Sequence, residues 1–384
     1  MTPTDLSPKE TQAPINQMES EEAQRYYSAT QFQLIWWRFR KHRLAQVGAI
    51  ILITMAVIGL FAEFFGPYTG TTRVSDAVLV RPQAPQFCND DGCTLRPFIP
   101  GVISERNPET LRMETKIDPS VRRDIYFFVE GEEYKLLGKF KTNIHFFGLK
   151  EGSIHLFGTD SLGRDIFSRV LLATRTSLSI GIFGVVIAFV LALVIGGVAG
   201  YFGGGLDYAI QRLTEIVRVI PVIPLYMGLA AAFPKEWSST QAYFAMTLVL
   251  ALVGWPTLAR RIRGKLLSLR GEDCVIAANL AGAGPSRIIG RHLLPAFMSY
   301  IIVDLVISFP FMLLSETALS FVGLGLRPPT VSWGVLLQDA QTVRAIEQAP
   351  WLFIPAIFVV VAVLSFTVLG DGLRDAADPY QVSG

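Results

Sequence analysis

Charge is scarce in this chain. Only 17% of its 384 residues are Asp, Glu, Lys or Arg, against about 25% in an ordinary soluble domain, which disfavours a conventional globular enzyme. Neither sign dominates: 34 Lys and Arg against 32 Asp and Glu leave +2, excluding nucleic-acid binding driven by bulk charge. Cysteine is rarer still, with three residues, too few for a disulfide scaffold. No G-x-x-x-x-G-K-[ST] loop is present, because Gly264-Lys265 is followed by Leu266 and position 259 is Ala. Nucleotide binding of the P-loop kind is thereby ruled out. The 33 Gly and 22 Pro are scattered without period, which excludes collagen-like or low-complexity material. No nucleophile–base constellation stands out, so the sequence offers no catalytic residue, no cofactor site and no metal site.

What the chain has is apolar length. Half of it, 51%, is hydrophobic, and six mostly apolar stretches appear at the roughly 17–25 residues a bilayer span needs. They run over 44–65, 180–201, 210–233, 242–258, 296–319 and 351–369. The third is untidy, holding Arg212, Glu215, Arg218, Pro221 and Pro224. A domain this size cannot enclose six such helices in water, whereas in lipid each helix closes its own backbone hydrogen bonds. The expected fold class is therefore an all-α polytopic membrane protein with six transmembrane helices.

Short basic flanks set the orientation. Arg38, Arg40, Lys41 and Arg43 precede the first span, placing the N-terminus in the cytoplasm. Counting spans then brings Arg260, Arg261, Arg263, Lys265 and Arg270, and finally Arg374, to the same side. Both termini are expected inside. The long leader and the lack of an A-x-A site argue against a cleaved signal peptide and for an uncleaved anchor.

Outside the spans, residues 1–27 are polar and expected to be a disordered cytoplasmic tail. Over 28–43, Phe32, Ile35, Trp36 and Phe39 repeat at helical spacing beside basic residues, which suits an interfacial amphipathic helix or a helical extension of the first span, 44–66. Residues 67–176 form an outer insertion and linker, and 177–384 the membrane core with a cytoplasmic loop at 263–295. Within the insertion, 124–128 and 134–140, separated by Gly131-Glu132-Glu133, read as a hairpin. Cys88 and Cys93 bracket a turn sequence; in an oxidising compartment a small disulfide is expected, with a metal site as rival, although no His lies close. Cys274 is expected to be a free thiol.

The segment Gly271 to Pro295 is the most informative. A short helix should begin near Glu272–Asp273, with acids at its positive end, and stop at Gly282 and Gly284-Pro285. Ala277, Ala278 and Ala281 let another surface approach closely, and Pro295 marks the start of the fifth membrane helix. Ala277-Ala278, then three residues, Gly282 and Leu294-Pro295 resemble the coupling loop of ABC-importer permeases, with Ile276 where that family has Glu. His155-Leu156-Phe157-Gly158-Thr159-Asp160 through Gly163-Arg164-Asp165 resembles the signature of the dipeptide/oligopeptide/nickel permeases. So do Leu319 to Gly325 with Pro328-Pro329 and Ser332-Trp333-Gly334, and the ending Gly372 to Pro379. The resemblance covers residues 30–66 and 155–380, leaving 67–154 outside it.

That resemblance implies a type I ABC-importer permease fold carrying a small α/β or β-rich periplasmic insertion, in a bacterial inner membrane. It implies a non-catalytic subunit that imports peptides by alternating access. The implied partners are a second homologous permease, two ATP-binding subunits that carry the Mg-ATP, and a periplasmic substrate-binding protein; no nucleic acid is involved. The ATPase-coupling residues would be Asp273, Ala277, Ala278, Gly282 and Pro295. Oligosaccharides, opines and nickel complexes are alternative cargoes within the family. An ion-coupled secondary transporter using Asp304, or a membrane-anchored receptor using 67–154, are readings from other classes.

From the residues alone, the Phe157 to Arg169 stretch reads as a tight capped turn in which Arg164 and Asp165 pair locally, or line an outer gate. Among charges at membrane depth, Arg212, Glu215 and Arg218 are spaced to pair along a helix. Asp304 either bonds a neighbouring helix or lines the translocation path. Glu316, the other path candidate, lies near the outer end, where it can reach water.

Overall fold

The computed structural model describes residues 29–89, 92–106, 113–234 and 236–377; the expected tail at 1–27 lies outside the described residues. Five of its helices are long and apolar enough to cross a membrane, and a sixth span exists if one sharply bent pair is counted as one. The chain opens with α1 (Gln31–Phe39), capped by Thr30 and Gln33 bonding reciprocally. The His42 side chain caps α2 (Arg43–Leu60), so α1 is a separate helix and not a continuation of the first span. After Phe61 comes the short α3 (Ala62–Phe65).

The membrane core begins with α4 (Ile166–Phe202), whose 37 residues span about 55 Å at 1.5 Å per residue, well beyond the hydrocarbon layer. It then continues through α5 (Gly204–Val219), α6 (Val222–Ala231) and α7 (Ser239–Leu269). The expected third span is not one helix: α5 and α6 meet at 85°. Pro221 is the cause. It forces Ile220 into extended backbone (φ −72°, ψ 127°), because the residue before proline is driven out of the helical region.

After α8 (Asp273–Leu280), the fifth span α9 (Met298–Phe321) starts three residues later than Pro295. Pro295 instead sits in its own turn, Leu294–Ala296, broken from α9 at Phe297. The chain closes with α10 (Trp333–Asp339), α11 (Val343–Gln348) and α12 (Ile354–Ala377). The core is the packing of α4 on α7, with α9 against α4 and α12, and α2 laid along α12. Gly196 makes the central crossing possible: a Cβ there would lie 2.4 Å from the Ala259 carbonyl oxygen.

The insertion is β-structured. β1 (Gln86–Asn89), β2 (Gly92–Arg106) and β3 (Met113–Asp124) form one antiparallel sheet, and β4 (Tyr126–Leu136) with β5 (Phe140–Gly148) a second. The hairpin turn falls at 137–139, not at Gly131-Glu132-Glu133. Leu137 and Gly138 have φ of 52° and 72°, the left-handed pair that a tight hairpin requires, while 131–133 form a bulge inside β4. Cys88 and Cys93 face each other across β1 and β2 and are joined in a disulfide. A small core of Ile99, Ile125, Phe147 and Ile154 closes the insertion against the end of α4.

Candidate functional site

The segment from Glu272 to Phe297 is built from a helix that stops abruptly. In α8 the first-turn Asp273 is exposed at the positive end of the helix. Val275 alone is buried and ties the helix to the membrane core. Ala277 and Ala281 are exposed and open to a second surface, while Ala278 is half-buried against the chain's own core. Ile276 and Leu280 point outward, Leu280 with 85% of its surface accessible. The stop is a full Schellman arrangement: Gly282 N–H donates to Asn279 O at 2.9 Å and Ala283 N–H to Ala278 O at 3.0 Å. Gly282 adopts φ 77°, where L residues are disfavoured. Beyond it, a π-helical turn, Ile288–Leu293, widens the spiral so that residues five apart come near one face. That turn buries Ile288 and Leu293 together, with Phe297 following. Three anchors therefore connect the exposed helix rigidly to the start of α9. Cys274 is a free, exposed thiol on the same helix.

A cavity of about 560 Å³ opens at the base of α9, lined by Arg261, Lys265, Tyr300, Asp304 and Arg374 among others. Asp304 faces this cavity and forms an ion pair with Arg261 of α7, so it bonds a neighbouring helix. Arg261 and Ile307 also border a second cavity of about 370 Å³, whose walls include Tyr226, Thr257, Ser308, Phe311 and Ser315. Arg261 and Ile307 therefore form a wall common to the two cavities. Nearby, Asp207 and Arg263 form a two-pronged ion pair that fastens α5 to α7. Arg212 and Glu215 pair along α5 at 2.6 Å.

Glu316 does not reach water. It is fully buried, accepts from Ser320 Oγ at 2.8 Å and Ser177 Oγ at 3.3 Å, and borders neither cavity. The same two serines accept backbone N–H groups from beyond α9, Ser177 from Trp333 and Ser320 from Leu326. Glu316 thus pins α4, α9 and the 319–335 loop together. The expectation failed because helix position alone does not reveal which neighbour covers a side chain.

The Phe157 to Arg169 stretch is a clasp, and Arg164 does not pair with Asp165. Asp160 is the fully buried hub, accepting from Leu162 N–H, Arg164 N–H, Arg164 Nε at 2.6 Å and Arg169 Nη1 at 2.5 Å. Asp165 caps α4 through Ser168 N–H at 2.7 Å and meets His155 Nδ1 at 3.1 Å. Thr159 accepts from Val80 N–H, and its carbonyl accepts from Trp351 Nε1 at 2.9 Å. Asp339 adds a second carboxylate within 3.5 Å of both arginines. Burial raises its pKa, and the two guanidinium groups partly offset that rise. Arg169, Asp339, Ser177 and Arg261 were missed as partners, since no local spacing announces contacts that close over ranges such as 43 or 170 residues.

Two family models match the chain: a binding-protein-dependent transport system inner membrane component over residues 192–381, and the N-terminal TM domain of oligopeptide transport permease C over 30–85. The oligopeptide transport system permease protein OppC of Bacillus subtilis (strain 168) is 35% identical over 59% of this chain and 72% of its own length. The dipeptide transport system permease protein DppC of the same organism is 37% identical over 59% and 68%. DppC of Lactococcus lactis subsp. cremoris (strain MG1363) is 29% identical over 91% of this chain and 90% of its own length, an alignment that reaches into residues 67–154. A solved MetNI methionine ABC transporter, inward facing, matches 54% of this chain and 96% of its own at 18% identity, with a TM-score of 0.44.

Proposed function

Because this chain belongs to the inner-membrane components of binding-protein-dependent transport systems, in the oligopeptide and dipeptide permease branch, we propose that it forms, with a second homologous permease, the path for di- and oligopeptides delivered by a periplasmic binding protein. Two separate ATP-binding subunits supply the energy and carry the Mg-ATP. The N- and C-termini and α8 lie on the cytoplasmic side. ATP binding closes the two ATPases, draws their coupling helices together and opens the permeases outward.

The observation that supports this reading is the geometry of α8. A helix with one inward anchor, Val275, and outward Ile276 and Leu280 is shaped to seat in a cleft of another protein, not to fold back on its own chain. Its rigid continuation through Ile288, Leu293 and Phe297 carries a push on the helix into α9, which bears Asp304. An ion-coupled carrier needs a membrane carboxylate free to take up its ion, and Asp304 is already engaged by Arg261.

The test is reconstitution of this chain with its partner permease, the ATPases and the binding protein in vesicles. Peptide uptake should require external binding protein and internal ATP. ATP hydrolysis by the isolated chain, or uptake that survives ATP depletion, would overturn the proposal.

A further inference from the structure

We propose that the β4–β5 hairpin is a membrane-surface anchor, laying one aromatic face into the headgroup and upper acyl region of the leaflet at the C-terminal end of α2. The argument starts from the exposed stripe of α2. Ile50, Ile53, Val57 and Leu60 are all solvent-accessible apolar residues at spacings of three or four, one helix face. Such a face on a membrane-spanning helix meets lipid. The next position on the stripe is Phe64, in α3.

Phe64 does not end the apolar surface but hands it on. Its ring lies 6.2 Å from Phe128 of β4 and 5.9 Å from Phe146 of β5, and Phe65 lies 5.6 Å from Phe146. Residues two apart on a strand share a face, so Phe146, Ile144 and Phe140 continue along β5. Leu136 joins them across the register from Phe140. Phe128 and Phe140 are each 66% accessible, and Ile144 is exposed between them. The lipid-facing surface of the first span is thus continuous with an uncovered aromatic face that reaches the hairpin tip.

Charge favours the same occupant. Residues 135–141 contain Lys135, Lys139 and Lys141 and no acidic residue. All three lysines are exposed, and Lys139, in the turn at the tip, sits where it can reach lipid phosphates. The acid on that face, Glu130, is exposed and pairs with Ile144 midway along the hairpin, set back from the Phe140 tip. An apolar face with flanking cations rests about 5–10 Å into the headgroup–acyl boundary. Lys141 lies on the other face of the strand and should stay in water.

The full chain is reconstituted in phosphatidylethanolamine–phosphatidylglycerol vesicles, with or without bromine on the upper acyl chains. Phe140→Trp and Lys141→Trp are compared after subtracting the emission of the unsubstituted chain. We expect the added emission of Phe140→Trp to be blue-shifted and to fall by about half or more in brominated lipid, given that depth, while Lys141→Trp is unaffected. Phe128→Trp repeats the measurement near α3 should Phe140→Trp fail to insert. Unquenched, water-like emission at both aromatic positions overturns the proposal, and so does equal quenching at 140 and 141. The outcome does not depend on what the chain transports, so it is separable from the test of peptide uptake.

Discussion

The carboxylate of Asp160 holds the guanidinium of Arg169 at 2.5 Å, nine residues along the chain and wholly inside the protein. Because Arg164 and the backbone amides at 162 and 164 share that carboxylate, one side chain closes the junction between the insertion and the membrane core. Asp160→Ala leaves two arginines without their main partner, a change that costs about 3–5 kcal/mol when a buried pair is broken. A large drop in the unfolding temperature of the detergent-solubilised protein is expected, together with a fall in the amount recovered from membranes. An unfolding temperature equal to that of the unaltered chain would remove Asp160 from the role of hub.

At the proposed coupling segment, two substitutions separate geometry from contact. Gly282→Ala must hold φ 77° with a Cβ and costs about 1 kcal/mol locally, although nothing crowds the site within 4 Å. Partial loss of uptake is expected. Ala278→Glu puts a charge at a half-buried position of α8, and should abolish both uptake and stimulation of the ATPases while membrane insertion persists. Wild-type uptake in Ala278→Glu would detach α8 from the ATPase.

Glu316 and Asp304 should behave as opposites. Glu316→Gln disturbs a buried hydrogen-bond network and is expected to lower stability by about 1–3 kcal/mol, with the apparent KM for peptide unchanged in whatever protein remains folded. Asp304→Asn removes the charge that Arg261 engages and alters the cavity wall, so it should change transport kinetics. Uptake kinetics and thermal unfolding of both variants decide it. The reverse pattern would exchange their roles.

Alkaline pH offers a check on the insertion's seat. Tyr68 accepts Ile154 N–H at 2.9 Å and stacks on His155. Burial pushes its phenol well above the ordinary value near 10, and the Ile154 hydrogen bond only partly counters this. The folded state thus keeps the proton that an unfolded chain loses. The contribution of Tyr68 is complete below about pH 10 and declines above it by about 1.4 kcal/mol per pH unit until the folded phenol ionises. Tyr68→Phe should be about 1 kcal/mol less stable at neutral pH yet lose less on alkalinisation. Thermal unfolding of both proteins across alkaline pH would show parallel curves if Tyr68 does not titrate this way.

What the sequence determined by itself was whatever depends on neighbours along the chain. Apolar runs long enough to span a bilayer and the stop at Gly282 follow from backbone chemistry and residue spacing, and the motifs at 155–165 and 277–295 sufficed for the family. Where the hairpin turned was also local, but it was misplaced, because Gly131 marks a bulge and the left-handed pair at Leu137–Gly138 makes the turn. Only the tertiary structure decided which charge meets which. Asp160 took Arg169 as well as the closer-spaced Arg164, Glu316 was sealed by Ser177 from a helix 139 residues away, and Asp304 met Arg261 across two helices. A buried charge is satisfied by whichever partner the packing delivers, and packing is a property of the assembled helices that no one segment carries.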